Sequence, residues 1–90
     1  MSKYQVQFTK SAAKELKALP KQDAIKLAEA ILFLSINPYS DLLNIKKLQS
    51  AQGYFRLRVQ NYRIIYSVNK DILMIKIIKV GHRKEVYKKL

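Results

Sequence analysis

The sequence contains no cysteine, and its 90 residues include only two glycines and two prolines. Without cysteine the fold has no disulfides and no thiolate metal site, and a reducing compartment is permitted. The first eight residues lack the apolar run of a signal peptide, and residues 27–36, the most apolar stretch, contain Glu29 and are too short to span a bilayer. No cluster of carboxylates and no pair of histidines suggests a metal site. We therefore expect one cytoplasmic domain over residues 1–90, with no metal, cofactor or membrane contact.

Acidic residues are scarce. The chain has six Asp and Glu residues and 18 Lys and Arg residues, which gives a net charge of +12 and a pI near 10.1. The excess is uneven, because residues 1–52 hold eight Lys against four acidic residues (+4) and residues 53–90 hold six Lys and four Arg against two (+8). A lysine-rich soluble surface would not sort arginine in this way. The planar guanidinium fits phosphate, so the pattern favours a nucleic acid or the ribosome as partner.

The periodicity predicts a small α+β domain of order β-α-α-β-β-β. An N-terminal strand and a helical hairpin pack on a mainly antiparallel four-stranded sheet, and a short helical tail follows. The last strand is apolar on both faces and should lie inside the sheet. Residues 37–53 have weak periodicity and read as a long connection. The helices are expected over residues 9–19 and 20–36, and the strands over residues 4–8, 54–59, 62–68 and 72–80.

The segment "YFRLRVQNYRIIY", which begins at Tyr54, predicts a β-hairpin. A two-residue turn at 60–61 places Arg58 directly opposite Arg63, with Arg56 on the same face, and the apolar side chains on the other face. Like charges opposite one another destabilise a hairpin. A bound anion explains the arrangement, so we predict that the three arginines hold a phosphodiester and stabilise the charge that develops when it is cleaved.

Three segments, "FTKSAAKELKALP", "GYFRLRVQNYRIIYSV" and "VGHRKEVYKKL", resemble the RelE/ParE superfamily of bacterial toxins over nearly the whole chain. The resemblance leans towards the RelE branch of mRNA interferases. It implies a type II toxin that cuts mRNA in the A site of the 70S ribosome and is neutralised by a small acidic antitoxin in a hetero-oligomer. Two alternatives stay open. One is a ParE-like DNA gyrase inhibitor without enzymatic activity, and the other is a non-catalytic basic RNA-binding protein.

The resemblance also implies roles for single residues. The resemblance assigns Arg56, Arg58, Arg63, Arg83 and Tyr87 to the site. The predicted catalytic residues are Arg63, His82, Arg83 and Tyr87, and the predicted RNA-binding residues are Arg56, Arg58, Lys79 and Lys84. In the implied reaction the ribose 2′-OH attacks the adjacent phosphate without a metal, and the arginines stabilise the transition state. Well-known members have lysine where this chain has Arg56 and Arg58, and arginine hardly deprotonates. His82 is therefore the better acid/base candidate, while Tyr87 would stack, orient the substrate or move a proton.

Overall fold

The computed structural model describes residues 3–48 and 53–82, and these residues form two helices and five strands. The strands make one sheet of order β1-β5-β4-β3-β2, in which β1 runs parallel to β5 and the other neighbours are antiparallel. This confirms the α+β fold and the mainly antiparallel sheet. The elements are β1 (Gln5–Phe8), α1 (Lys10–Lys17), α2 (Lys21–Ile36), β2 (Asn44–Lys47), β3 (Tyr54–Val59), β4 (Tyr62–Asn69) and β5 (Met74–His82).

The sheet has one strand more than the sequence predicts. β2 lies within the segment that reads as a connection, and it pairs with β3 at the sheet edge, where Ile45 is the partner of Leu57. Its four residues, "NIKK", contain one apolar side chain, which is too few to show a strand periodicity. Pairing along one side and the packing of Ile45 against the core therefore decide its conformation.

Helix α1 begins at a side-chain cap that also ties it to the sheet. The Thr9 hydroxyl accepts a hydrogen bond from the Ala12 N–H (3.0 Å) and donates one to the Ile78 carbonyl (3.1 Å). The first contact satisfies a backbone donor that the helix itself leaves open. The second fixes the start of α1 beside β5.

Helix α1 continues along β5 beyond the end of β1. There the Glu15 carboxylate accepts the Val80 backbone N–H at 3.0 Å and forms an ion pair with the Lys79 ammonium. A buried or edge backbone donor needs a partner. Glu15 thus supplies to this part of the β5 edge the acceptor that a neighbouring strand would otherwise provide.

Both helices pack on the same face of the sheet, and within residues 3–48 and 53–82 no helix covers the other face. Among the described residues, neither helix is long and apolar enough to cross a membrane. The helices contribute Ala12, Leu27, Ala30, Ile31 and Leu34 to the core, and the sheet contributes Leu57, Tyr62, Ile64, Tyr66, Ile75, Ile77 and Val80.

Tyr66 connects the middle of the sheet to the segment that follows α2. It is fully buried, and its hydroxyl donates a hydrogen bond to the Pro38 carbonyl at 2.7 Å. Its ring stacks on Phe55, which also contacts the ring of Tyr39 edge-on. Burial raises the pKa of Tyr66 well above its ordinary value.

Replacing Tyr66 by Phe should lower the free energy of unfolding by about 1–2 kcal/mol, because the Pro38 carbonyl then loses its donor. The matched control is Tyr39→Phe, which removes the same atom from a more exposed ring of the same aromatic cluster. That change should stay within about 0.5 kcal/mol. Chemical denaturation of the two variants measures the difference, and equal losses would contradict the role of the Tyr66 hydroxyl.

The natural protein and Tyr66→Phe should also differ in how their stability depends on pH. The folded state raises the pKa of Tyr66 above its ordinary value of 10.0, so its neutral form is favoured by folding. This contribution to stability is complete below pH 10 and is lost as the pH rises beyond it. The stability advantage of the natural protein over Tyr66→Phe should therefore shrink above pH 10, and a constant advantage would contradict the assignment.

Candidate nucleic-acid interface

The β3–β4 hairpin has the predicted register. Arg58 lies opposite Arg63 and Leu57 lies opposite Ile64, and the turn is made by two residues, of which Gln60 has a φ of 55°. Leu57 and Ile64 are fully buried on the helix side. A slip of one strand by one residue would turn its apolar side chain away from the core, so burial of this apolar pair fixes the opposition of the two arginines.

The face of the sheet opposite the helices carries two rows of side chains that cross four strands. One row consists of Asn44, Arg58, Arg63 and Gly81. The other consists of Lys46, Arg56, Ile65 and Lys79. We call these two rows the basic face. It brings together four of the predicted site residues and adds Asn44 and Lys46, which the sequence does not single out because β2 has no strand periodicity.

Arg63 is buried, with 5% of its surface exposed, although it carries a full charge. Its Nη1 donates a hydrogen bond to the Tyr62 carbonyl at 3.2 Å, while its Nε has no hydrogen-bond partner among the described residues. A buried donor without a partner is costly, and the exposed Arg58 opposite adds repulsion. An anion on this face would satisfy the donor and neutralise the repulsion.

Arg56 offers a second guanidinium on the neighbouring row. Its Nη2 donates a hydrogen bond to Asn44 Oδ1 at 3.0 Å, which orients the planar group across β2 and β3. Its Nε is buried and also has no hydrogen-bond partner among the residues that the structure describes. Two guanidinium groups with an unused N–H thus stand on adjacent rows of one rigid sheet.

Lys79 differs from the arginines, because its charge is balanced within the molecule. Its ammonium pairs with Glu15, and the Lys79 side chain is only 15% exposed. Ile65, its neighbour in the row, is inaccessible to solvent although it lies on the basic face. Lys79 therefore forms the rim of the face beside α1, where it is engaged before any ligand arrives.

His82 does not reach the basic face. It pairs with Tyr62 across β4 and β5, and the two rings lie 4.7 Å apart. The Tyr62 hydroxyl donates to Asp23 Oδ2 at 2.7 Å, a hydrogen bond that raises the pKa of Tyr62, with burial and the carboxylate's charge adding to the shift. The reason for the placement is strand alternation, since Gly81 lies opposite Arg63 and the next residue faces the other side.

Three predicted site residues, Arg83, Lys84 and Tyr87, lie outside the described residues, as does the predicted helical tail. Within residues 3–48 and 53–82, no three His, Asp or Glu side chains converge on a point that suits a metal ion. The chemistry that the described geometry supplies is fixed positive charge on a rigid surface. Such charge suits the binding of a phosphodiester and the stabilisation of its transition state.

Residues 6–87 match the family described as the ParE toxin of type II toxin-antitoxin systems. The chain is 33% identical over 87 residues to the putative toxin RelE1 of Methanocaldococcus jannaschii, covering 96% of this chain and 97% of the relative. It is 36% identical over 86 residues to toxin RelE3 of the same organism, covering 91% and 93%.

Among solved structures, the archaeal RelE-RelB complex from Pyrococcus horikoshii OT3 is similar, with a TM-score of 0.78 and 32% identity. The match covers 92% of this chain and 97% of the chain in that complex. The structural match agrees with the α+β topology. The chain belongs to the RelE/ParE superfamily, as a RelE-like toxin component of a type II toxin-antitoxin system.

Proposed function

We propose that this toxin is an endoribonuclease that cleaves mRNA in the ribosomal A site. The observation that carries the proposal is Arg63, buried with an unused donor and set opposite Arg58 on the basic face. A fold that needed only stability would not retain this pair, whose natural complement is a phosphate. The relatives named RelE toxins support the same reading.

In the proposed reaction the ribose 2′-oxygen forms a bond to the adjacent phosphorus, and the bond from phosphorus to the 5′-oxygen breaks. The 2′-hydroxyl loses its proton, and the departing 5′-oxygen gains one. Arg63 donates to the phosphoryl oxygens as negative charge grows on them. Arg56 and Arg58 hold the flanking backbone, so that the 2′-oxygen attacks in line.

The resemblance to the family supports Arg83 as a second charge-stabilising residue and Tyr87 as a residue that stacks, orients or moves a proton. Lys84, the basic residue that follows Arg83 in the sequence, is assigned to RNA contact. We do not assign proton transfer to His82, because its ring packs on Tyr62 on the opposite face of the sheet. Lys79 contributes to RNA binding at the rim, in competition with its ion pair to Glu15.

The proposed partners follow from charge and from the relatives. The Pyrococcus horikoshii relative forms a complex with RelB, and a chain of net charge +12 needs a partner that masks its charge. We propose a small acidic antitoxin as that partner, and mRNA with the 70S ribosome as the target, all in the cytoplasm. A ParE-like action on DNA gyrase is the second candidate, because the matching family carries the ParE name.

Inducing the protein should arrest growth and cut mRNA within translated regions. Arg63→Met, which keeps an unbranched apolar stem but removes the charged guanidinium, should lower the cleavage rate at least about 100-fold. Lys26→Met, the same loss of charge at an exposed position of α2, should leave it unchanged. Primer extension with and without ribosomes measures the cuts, and intact mRNA beside gyrase–DNA breaks would favour the ParE-like reading.

Arg63→Met should also make the protein more stable, by about 1 kcal/mol or about 4–8 °C in melting temperature. The variant removes both the buried charge and the repulsion from Arg58. Arg58→Met, at an exposed position, relieves only the repulsion and should give a smaller rise. Thermal unfolding followed by circular dichroism measures both, and a large fall in melting temperature for Arg63→Met would make the residue structural.

Co-purification from the native host should recover the toxin with a small acidic protein. Partner and toxin should dissociate in high salt more readily than an apolar complex does, because opposite net charges contribute to the association. Mass spectrometry identifies the partner. Recovery of the toxin alone, together with no growth arrest on expression, would contradict the toxin–antitoxin assignment of this chain.

A further inference from the structure

A third row of side chains extends the basic face and contains an aromatic residue. Tyr54 lies opposite Ser67, which lies opposite Lys76, and Lys76 is the partner of Gln7 on β1. Tyr54 precedes Arg56 by two residues on β3, so the two side chains leave the same face about 6.6 Å apart along the strand. The row thus places a ring next to Arg56, on the side of Arg56 away from the row of Arg63.

Tyr54 is the single aromatic residue that the described strands present on this face. The other aromatic residues of the strands lie on the helix side: Phe8, Phe55, Tyr62 and Tyr66. Tyr54 is partly exposed, and Lys76 is exposed. Proteins bind single-stranded RNA with an accessible aromatic ring among cations on a rigid sheet, because bases stack on the ring while the cations hold the backbone.

We propose that Tyr54 stacks on an unpaired base next to the phosphate held by Arg56 and Arg63, and that Lys76 contacts the backbone beyond it. This inference rests on the proposed function and adds the substrate class, a single-stranded segment with an accessible base. Stacking requires a base that is free of its own pairing partner. The row therefore selects unpaired RNA over duplex, and it does so without reading a particular base.

The test compares a probe that has bases with a probe that has only phosphates. The first is a short 2′-O-methylated oligoadenylate, which lacks the attacking hydroxyl and stays intact, and the second is inorganic polyphosphate. Tyr54→Ile should bind the oligoadenylate about tenfold more weakly or worse and polyphosphate as tightly as the natural protein. Tyr54→Phe, which keeps the ring, should bind both normally. Phe33→Leu, at an exposed aromatic of α2, is the control for a surface ring elsewhere and should change neither.

A second measurement stands if Tyr54→Ile fails to fold. Oligoadenylate should quench the tyrosine fluorescence of the natural protein more than that of Tyr54→Phe, because the stacked ring is then absent from the signal. Equal quenching, equal oligoadenylate affinity for Tyr54→Ile, or a parallel loss on polyphosphate would each overturn the role of Tyr54. A natural protein that binds neither probe would instead overturn the proposed function of the basic face.

Discussion

The opposition of Arg58 and Arg63 across the β3–β4 hairpin determines the geometry of the basic face. The two charges are not free to separate, because Leu57 and Ile64 on the other face are fully buried and hold the register. Burial of apolar surface thus sets the positions of the two arginines, and it offsets the cost of their mutual repulsion. Because the packed core holds the register of the hairpin, the basic face is rigid. In-line attack on a phosphodiester requires such fixed positions.

The two faces of the sheet differ in what they carry, and the helices and strands contribute to them differently. The helices cover one face, and α1 also closes the β5 edge through Glu15. The other face keeps three rows of mostly basic and polar side chains. Asn44 on β2 orients Arg56, so the short edge strand contributes to the site as well as to the sheet. Electrostatic preorganisation of this kind lowers the reorganisation needed when charge develops on a substrate.

The hairpin could be predicted from sequence because its signals are local, namely strict alternation on both sides of a two-residue turn. The remaining features depend on distant partners. A bulge between Ile65 and Tyr66 shifts the β4–β5 register, so a count of alternate residues from Ile75, before the bulge, gives the wrong face for His82. Lys79 finds Glu15 64 residues away, and β2 has one apolar side chain. Each of these three features depends on pairing between distant parts of the chain, which no local sequence pattern shows.

Ligand-linked stability tests whether the basic face is an anion site, at which a bound ligand relieves the repulsion between Arg58 and Arg63. Thermal unfolding should be followed while the 2′-O-methylated oligoadenylate is added, because a ligand that binds the folded state raises the melting temperature. The melting temperature should rise for the natural protein and for Lys26→Met, with a smaller rise in high salt, and should rise little or not at all for Arg63→Met. An equal rise in all three proteins would contradict an anion site on the basic face.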